Sequence, residues 1–503
     1  MKKFSIIIYT IISLFSLASC KKQLDTAPTN AVPAELVFQN VSNLSTILQG
    51  TWASLMDDFY GDVYSNPGFK SVGLVSDAMG DDVALITTRY GFKTAYTFTQ
   101  MYDKTQFRVK AFWSEFYKLI NNTNIILAHV DGIAGDSTAK QVLKGHALAL
   151  RAHIYLTLAS FYQYSYLKDA QAKSVPIYTL PTTGTTVGQP RATLQQVYQL
   201  ITSDLQQALT LLQGYQRSAK YQIDPNVVEG LLARAYLNTG QWTLAAQAAI
   251  AARQGYPLMS TKDYVTGFND ATNEEWIWGH PEIPTQNGGS YSFNFLDVTY
   301  DNGYYSYMAD PHFMELFSAG DIRKTLFTWD GDDGLEGYLE YKKIRFGSLV
   351  NQTGDLVLMR ASEAYLIEAE GDARANHLTD AVTALNNLRT ARTADLYDPT
   401  GQTQQNLIDT ILVERRKELW GEGFSLSDII RTQGTVVRKP YTDAGGNPIL
   451  VTVTKPDGST EQVPAKYHTT LRFPDATPFV ANSPFYLFAI PQSEEQSNPN
   501  LYK

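Results

Sequence analysis

Apolar residues return at intervals of three and four through most of this chain, the spacing that sets one stripe of a helix against a core. Segments 123–130, 142–166, 194–212, 227–252, 356–369, 381–394 and 407–420 all carry it. In the third, Leu194, Val197, Ile201, Leu205, Ala208 and Leu212 share one face, and Thr193 with Gln196 supplies a capping box at its start. The pattern predicts a mainly α-helical protein.

One helical stretch divides in two. Leu232-Ala233-x-x-Tyr236, Gly240, Ala245, Ala252 and Pro257 follow the tetratricopeptide pattern of about 34 residues, whose small positions let two antiparallel helices approach closely. Glu229 and Ala249 stand where that pattern has large aromatics, so the repeat is degenerate. A second pair, 356–370 with 381–392, matches more loosely. A single repeat cannot cover its own apolar face, and the remaining helices must do so.

Two regions break the rhythm. Segment 279–303 holds Pro281, Pro284, Asn287-Gly288-Gly289 and Asn302-Gly303, and is too long for a simple connector. Segment 449–453 alternates apolar residues with Thr, Pro456-Asp457-Gly458 turns, and 461–463 returns, which predicts a small inserted β-hairpin.

Composition narrows the classes. With 503 residues and 44% hydrophobic content the chain can bury a large core, which excludes wholesale disorder. Its 41 Lys and Arg against 50 Asp and Glu give a net charge of −9, no footprint for nucleic acid. The apolar run from Phe4 to Leu17 falls short of the roughly 20 residues of a membrane span. With Lys2-Lys3 before it and small residues after it, the run has the build of a secretory signal. The one cysteine of the chain closes it, in Leu17-Ala18-Ser19-Cys20, which resembles the lipobox of bacterial lipoproteins. That resemblance implies a signal over 1–19, a lipidated Cys20 as first mature residue, a polar tether over 20–33, and a folded body over 34–503.

Catalytic patterns are missing. The sequence contains no HExxH, GxSxG, phosphate-cradling Gly-rich loop or CxxC pair. His146 and His153 lie seven apart on one predicted helix without a third ligand, and read as packing histidines. Asp330, Asp332, Asp333 and Gly334 fail as an EF-hand, because the Gly comes early and Tyr341 stands where the bidentate Glu belongs, which leaves a turn or a looser ion site as the readings of this run. A glycosidase pair is defined by separation in space, so no carboxylates are nominated for one. We expect neither an enzyme nor a metal or cofactor.

Aromatic density does stand out. Tyr291, Phe293, Phe295, Tyr300, Tyr304, Tyr305 and Tyr307 are seven of seventeen residues, against 12% aromatic overall. Sugars present apolar C–H faces rimmed by hydroxyls, which a ring carrying a phenol can cover and bond. Phe293 and Phe295 are assigned to packing and Trp276 and Trp278 to a core strand. Tyr291, Tyr304, Tyr305 and Tyr307 are nominated as contacts.

Several motifs in order resemble the SusD/RagB family of outer-membrane nutrient-binding lipoproteins. They begin with Ser76-Asp77, Phe112-Trp113-x-x-Phe116-Tyr117-x-x-Ile120-Asn121-x-x-Asn124, and Arg151-Ala152-x-x-Tyr155. Next come Asp310-Pro311, Gly320-Asp321-Ile322-Arg323 and Leu358-Met359-Arg360-x-Ser362-Glu363. Glu414-Arg415-Arg416-Lys417-Glu418-Leu419 with Glu422-Gly423 and Asp428, then Ala489-Ile490-Pro491-Gln492 and Asn498-Pro499-Asn500-Leu501, complete the set. Phe424-Ser425 departs from it, since a basic residue often follows that Gly.

The resemblance implies a SusD-like α-helical fold with degenerate tetratricopeptide pairs and long loops, in an N-terminal part of about 34–260 and a C-terminal part of about 270–503. It implies a non-enzymatic, lipid-anchored outer-membrane protein facing the cell exterior. Such a protein hands oligosaccharide to a SusC-type TonB-dependent transporter. A peptide is the alternative ligand, and an exported glycoside hydrolase the alternative class. In the family the ligand surface also draws on the segment after Ser76-Asp77. Here Asp77, Asp81, Arg89, Tyr90 and Tyr96 are nominated on residue chemistry, the alternative for Arg89 and Tyr90 being a solvated loop. Arg415, interrupting an apolar stripe, reads as half of a fold-holding ion pair with Glu418, Glu422 or Asp428.

Overall fold

The structure, a computed structural model, describes residues 38–61, 66–85, 92–283, 306–331, 334–348, 350–351 and 353–503. Helices dominate. α1 (Val41–Met56), α2 (Lys70–Ala78), α3 (Phe92–Tyr96), α4 (Phe107–His129), α5 (Ser137–Phe161) and α6 (Leu194–Leu211) form the first part. α7 (Pro225–Thr239), α8 (Trp242–Ala252), α9 (Ala361–Arg374), α10 (Leu378–Ala391), α11 (Gln404–Leu419) and α12 (Ser425–Arg431) follow, and α13 (Gln492–Ser497) lies near the end.

Local chemistry sets the helix ends. Thr193 and Gln196 close the expected capping box on α6, and Thr403 with Asn406 closes another on α11. Asp224 caps α7, with Pro225 in its first turn where a missing N–H costs nothing. The predicted tetratricopeptide pair is α7 and α8, joined by Gly240 in the left-handed region at φ 76°. From α4 the helices pack in a row, α4 on α5, α5 on α6, α6 on α7, α7 on α8 and α8 on α9, after which α9 meets both α10 and α11. Each helix thus covers its neighbour's apolar stripe, as a lone degenerate repeat requires.

The sheets are two-stranded and antiparallel. β1 (Val83–Leu85) pairs with β5 (Tyr307–Ala309), β2 (Lys173–Pro176) with β3 (Arg191–Thr193), and β6 (Phe327–Trp329) with β7 (Leu339–Tyr341). The predicted hairpin is present as β9 (Leu450–Thr454) on β10 (Thr460–Pro464). β4 (Trp276–His280) pairs with β8 (Leu356–Arg360), and Trp276 and Trp278 are fully buried, as core residues. The helix expected from residue 356 therefore begins five residues later. Leu356, Val357, Leu358 and Met359 form a continuous apolar run that suits a buried strand as well as a helix, and pairing with β4 decides. α4 also starts well before the predicted 123–130.

A buried ionic network ties the C-terminal helices together. The carboxylate of Glu418 receives Arg323 Nη1 at 3.0 Å, Arg360 Nη1 at 2.6 Å and Arg392 Nη2 at 2.9 Å. Glu275 accepts from the same Arg360 and Arg392 at 2.8 and 3.0 Å, and Glu422 from Arg360 at 2.8 Å and from Lys343. Burial pushes the Glu418 carboxyl up, but Arg392, Arg360 and Arg323 outweigh it and hold it well below the usual carboxylate range. Charges out of water persist only when compensated this fully. Arg415 meets Asp428 at 3.1 Å, one of its three expected partners, and its guanidinium lies 5.6 Å from the Phe424 ring centre. That aromatic face adds a cation–π contact to the ion pair.

Candidate functional site

The two segments nominated from the sequence share a root. β1 and β5 pair with Leu85 opposite Tyr307, so the chain leaves this ladder at Leu85 toward Arg89 and Tyr90 and re-enters it at Tyr307 from Tyr304 and Tyr305. The segments are 222 residues apart in the chain, and three cross-strand pairs join them. Arg89, Tyr90, Tyr291, Tyr304, Tyr305 and Cys20 themselves lie outside the described residues.

Beneath the root the nominated residues turn out to be framework, which corrects the expectation for three of them. Tyr307 is buried, its phenol donating to the Leu74 carbonyl at 3.2 Å and its ring 5.7 Å from Phe92. Tyr96 is buried as well. Its phenol oxygen accepts the Thr469 N–H at 2.9 Å and lies 3.1 Å from His468 Nδ1. Asp77 is buried and accepts the N–H of Gly423 at 2.9 Å, and burial raises its carboxyl to about 6 against the pull of Lys70. An exposed-looking run such as Ser76-Asp77 is in fact the inner face of α2, and polar residues buried there need the partners they have. Asp81 alone stays half-buried, accepting from the Val437 N–H at 2.7 Å; burial and the neighbouring Asp82 raise its carboxyl.

Two residues that the sequence did not single out hold this frame. Arg438 donates to the carbonyls of Gly80, Tyr96 and Ala78 at 3.0, 3.0 and 2.7 Å, with its guanidinium 4.4 Å from the Tyr96 ring centre. Arg416 grips Asp82 with two bonds of 2.9 and 2.6 Å. Arg416 sits inside the Glu414–Leu419 motif and was legible as charged. Nothing in the neighbourhood of Arg438 in the sequence announces three carbonyls from another part of the chain.

The other candidates resolve simply. His146 and His153 are buried without hydrogen-bond partners among the described residues, His153 lying 4.9 Å from Trp278 and 5.1 Å from Phe69. They pack, as expected. Among the described residues no three His, Cys, Asp or Glu side chains are grouped to hold a metal ion, and no helix is long and apolar enough to cross a membrane. Asp332 and Asp333 fall outside the described residues.

Comparison with known proteins identifies the family. Residues 24–237 match a family model described as starch-binding associating with outer membrane, and residues 336–503 match that of the SusD family. A solved SusD-like carbohydrate binding protein from Bacteroides vulgatus is 40% identical, covers 92% of this chain and 98% of its own, and superposes with a TM-score of 0.87. The chain belongs to the SusD/RagB family. Within it, a SusD superfamily structure from Bacteroides thetaiotaomicron shares the fold at 22% identity and TM-score 0.74, over 92% of this chain and 99% of that one. SusD-like protein P25 of Formosa agariphila is 21% identical over 86% of this chain and 90% of its own. The SusD-like helical fold read from the motifs is therefore the fold of this protein.

Proposed function

We propose that this SusD/RagB family member is a lipid-anchored protein of the outer membrane that captures oligosaccharide at the cell surface. It passes the ligand to a SusC-type TonB-dependent transporter and catalyses nothing itself. The observation that carries the reading is the ladder that pairs Leu85 with Tyr307. It sets Leu85, after which the chain runs on to Arg89 and Tyr90, opposite Tyr307, to which the Tyr-rich stretch 291–305 leads, and this adjacency supports a ligand site shared by the two segments. The similarity to a carbohydrate binding relative at 40% identity supports the ligand class, and Leu17-Ala18-Ser19-Cys20 supports the anchor.

Rings that cover C–H faces while phenols and guanidinium bond hydroxyls each contribute roughly 1 kcal/mol, which places affinity in the millimolar to micromolar range. Weak capture suits transfer. Ligand held at this face favours the closed arrangement of protein over transporter, and energised opening below releases it inward.

Calorimetry of the purified full-length protein against a panel of glycans and peptides tests this. Glycan binding that drops about ten-fold in Tyr304→Ala with Tyr305→Ala is expected, together with co-purification of a TonB-dependent barrel from native membranes. Binding of peptides alone, or release of reducing ends from the glycans, would replace the reading.

A further inference from the structure

A cleft of about 250 Å³ lies between α4, the stretch that follows β2, and α13. Its floor is one stripe of α4. Trp113, Tyr117, Asn121 and Asn124 fall at helical spacing within the aromatic motif noted in the sequence, and nothing proposed so far uses that stripe. Part of it is spent on structure. Tyr117 donates to the Pro176 carbonyl at 2.8 Å, Asn124 to those of Tyr178 and Leu180 at 3.0 and 3.1 Å, and Asn121 Oδ1 accepts the Thr182 N–H at 2.7 Å. These bonds clamp the facing segment without filling the space between.

What is left over converges on the cleft. Tyr117 lies 4.7 Å from Trp113 and meets Tyr178 edge-on at 5.8 Å, which gives aromatic walls. The Ser114 hydroxyl, the Asn121 side-chain NH2 and the Thr182 hydroxyl line it without a hydrogen-bond partner among the described residues. Among the described residues its one charged lining residue is Glu494, which accepts the Trp113 indole N–H at 3.3 Å and an Asn498 amide hydrogen at 2.9 Å. A carboxylate that forms no ion pair among the described residues disfavours anions, and hydroxyl and amide groups between rings suit a neutral polyol with an apolar face. The volume accommodates one ring rather than a chain.

We infer that this cleft binds a single neutral sugar unit, separately from the loops rooted on Leu85 and Tyr307. The inference rests on the glycan-capture reading for its ligand class, but uses different residues. Ser114, half-buried on the outer turn of α4, makes no structural bond, so Ser114→Trp fills the cleft without breaking a clamp.

Saturation-transfer NMR with glucose, galactose and mannose on the full-length protein in a sugar-free detergent tests it. Transfer to at least one monosaccharide is expected in the wild type and in Tyr304→Ala with Tyr305→Ala. The signal should fall about five-fold or more in Ser114→Trp and fall less in Thr182→Val, at unchanged melting temperature. Equal signals in wild type and Ser114→Trp, or none in the wild type, would overturn the cleft. Oligosaccharide binding that survives in that case leaves capture by the loops standing. Monosaccharide transfer without any oligosaccharide binding supports the cleft and removes the capture reading.

Discussion

Asp77 accepts the backbone N–H of Gly423 at 2.9 Å across 346 residues of chain, and this bond fastens α2 to the turn between α11 and α12. Lys70 reinforces the junction, donating to the Gly421 carbonyl at 2.7 Å. The backbones meet because neither side carries a Cβ. A methyl built on Gly423, at φ 90°, lies 2.5 Å from the Gly73 Cα. This junction holds α2, and with it the ladder that follows, against the C-terminal helices.

Gly423→Ala combines a left-handed backbone with a clash against main chain that cannot rotate away. A loss of about 3 kcal/mol or more is expected in urea unfolding, with the fold destabilised rather than ligand chemistry altered. Unchanged unfolding would remove the contact from the account.

Asp77 gives that junction a pH dependence. Its folded carboxyl, near 6, binds a proton more tightly than the unfolded one near 4, so its contribution is present below about pH 4 and is lost as pH rises through 6. Asp77→Asn cannot titrate. Its stability relative to wild type should improve by ~2 kcal/mol between pH 4 and pH 7, read from paired denaturation curves. A constant difference across that range would mean that burial does not set this carboxyl.

Glu418 is the hub on which Arg323, Arg360 and Arg392 converge, all four side chains fully buried. Glu418→Gln keeps the shape and removes the charge, leaving three guanidinium groups to share the remaining carboxylates. Breaking such a network from one side costs about 3–5 kcal/mol, far more than a surface pair. Thermal unfolding should separate it from Glu495→Gln, which removes the charge from an exposed pair with Lys104 and leaves an amide oxygen to accept from Tyr502.

Much of this was legible in the chain, and the exceptions share a cause. α6 announces itself through periodic apolar residues and its capping box, α11 through its periodic residues, and Gly240 marks the turn of the α7–α8 pair, because those signals are local. The Arg415 pair was expected from a charge set in an apolar stripe, yet the stripe could not choose among three carboxylates. β8 was read as helix since a short apolar run has no period, and its partner β4 is far away in sequence. Asp77, Tyr96 and Tyr307 were nominated as contacts by residue type and neighbourhood. Gly423, Thr469 and Leu74, which hold them instead, come close only in the folded chain.

The buried histidines predict the acid limit of the fold. Burial lowers His146 to about 4 and, with help from Arg234, His153 to about 3, so the folded state keeps both neutral while the unfolded chain protonates them near 6.5. Stability is therefore full above about pH 6.5 and falls as pH drops toward 4, by ~1.4 kcal/mol per unit for each group. Glu414 and Glu422, held near 2 by their cations, add a loss that begins only below about 4.5. His153→Phe keeps an aromatic ring between Phe69 and Trp278 and forfeits no hydrogen bond. Its melting temperature should vary less with pH than that of wild type between 6.5 and 4. Parallel profiles would show that His153 does not drive the loss.

The anchor makes the last prediction, and it separates place from binding. No helix among the described residues is long and apolar enough to cross a membrane, and the anchor proposed for this protein is the set of acyl chains expected on Cys20. Each buried methylene contributes about 0.8 kcal/mol, and one chain alone holds only marginally, which is why multiple acylation matters. Cys20→Ser removes the thiol that would carry a chain and leaves the body unchanged. The variant should move from the membrane fraction to the soluble one. Mass spectrometry of the wild type should show acyl mass on the peptide that begins at residue 20, and glycan affinity should stay within two-fold, about 0.4 kcal/mol. A Cys20→Ser protein still recovered with membranes would place the anchor elsewhere in the chain.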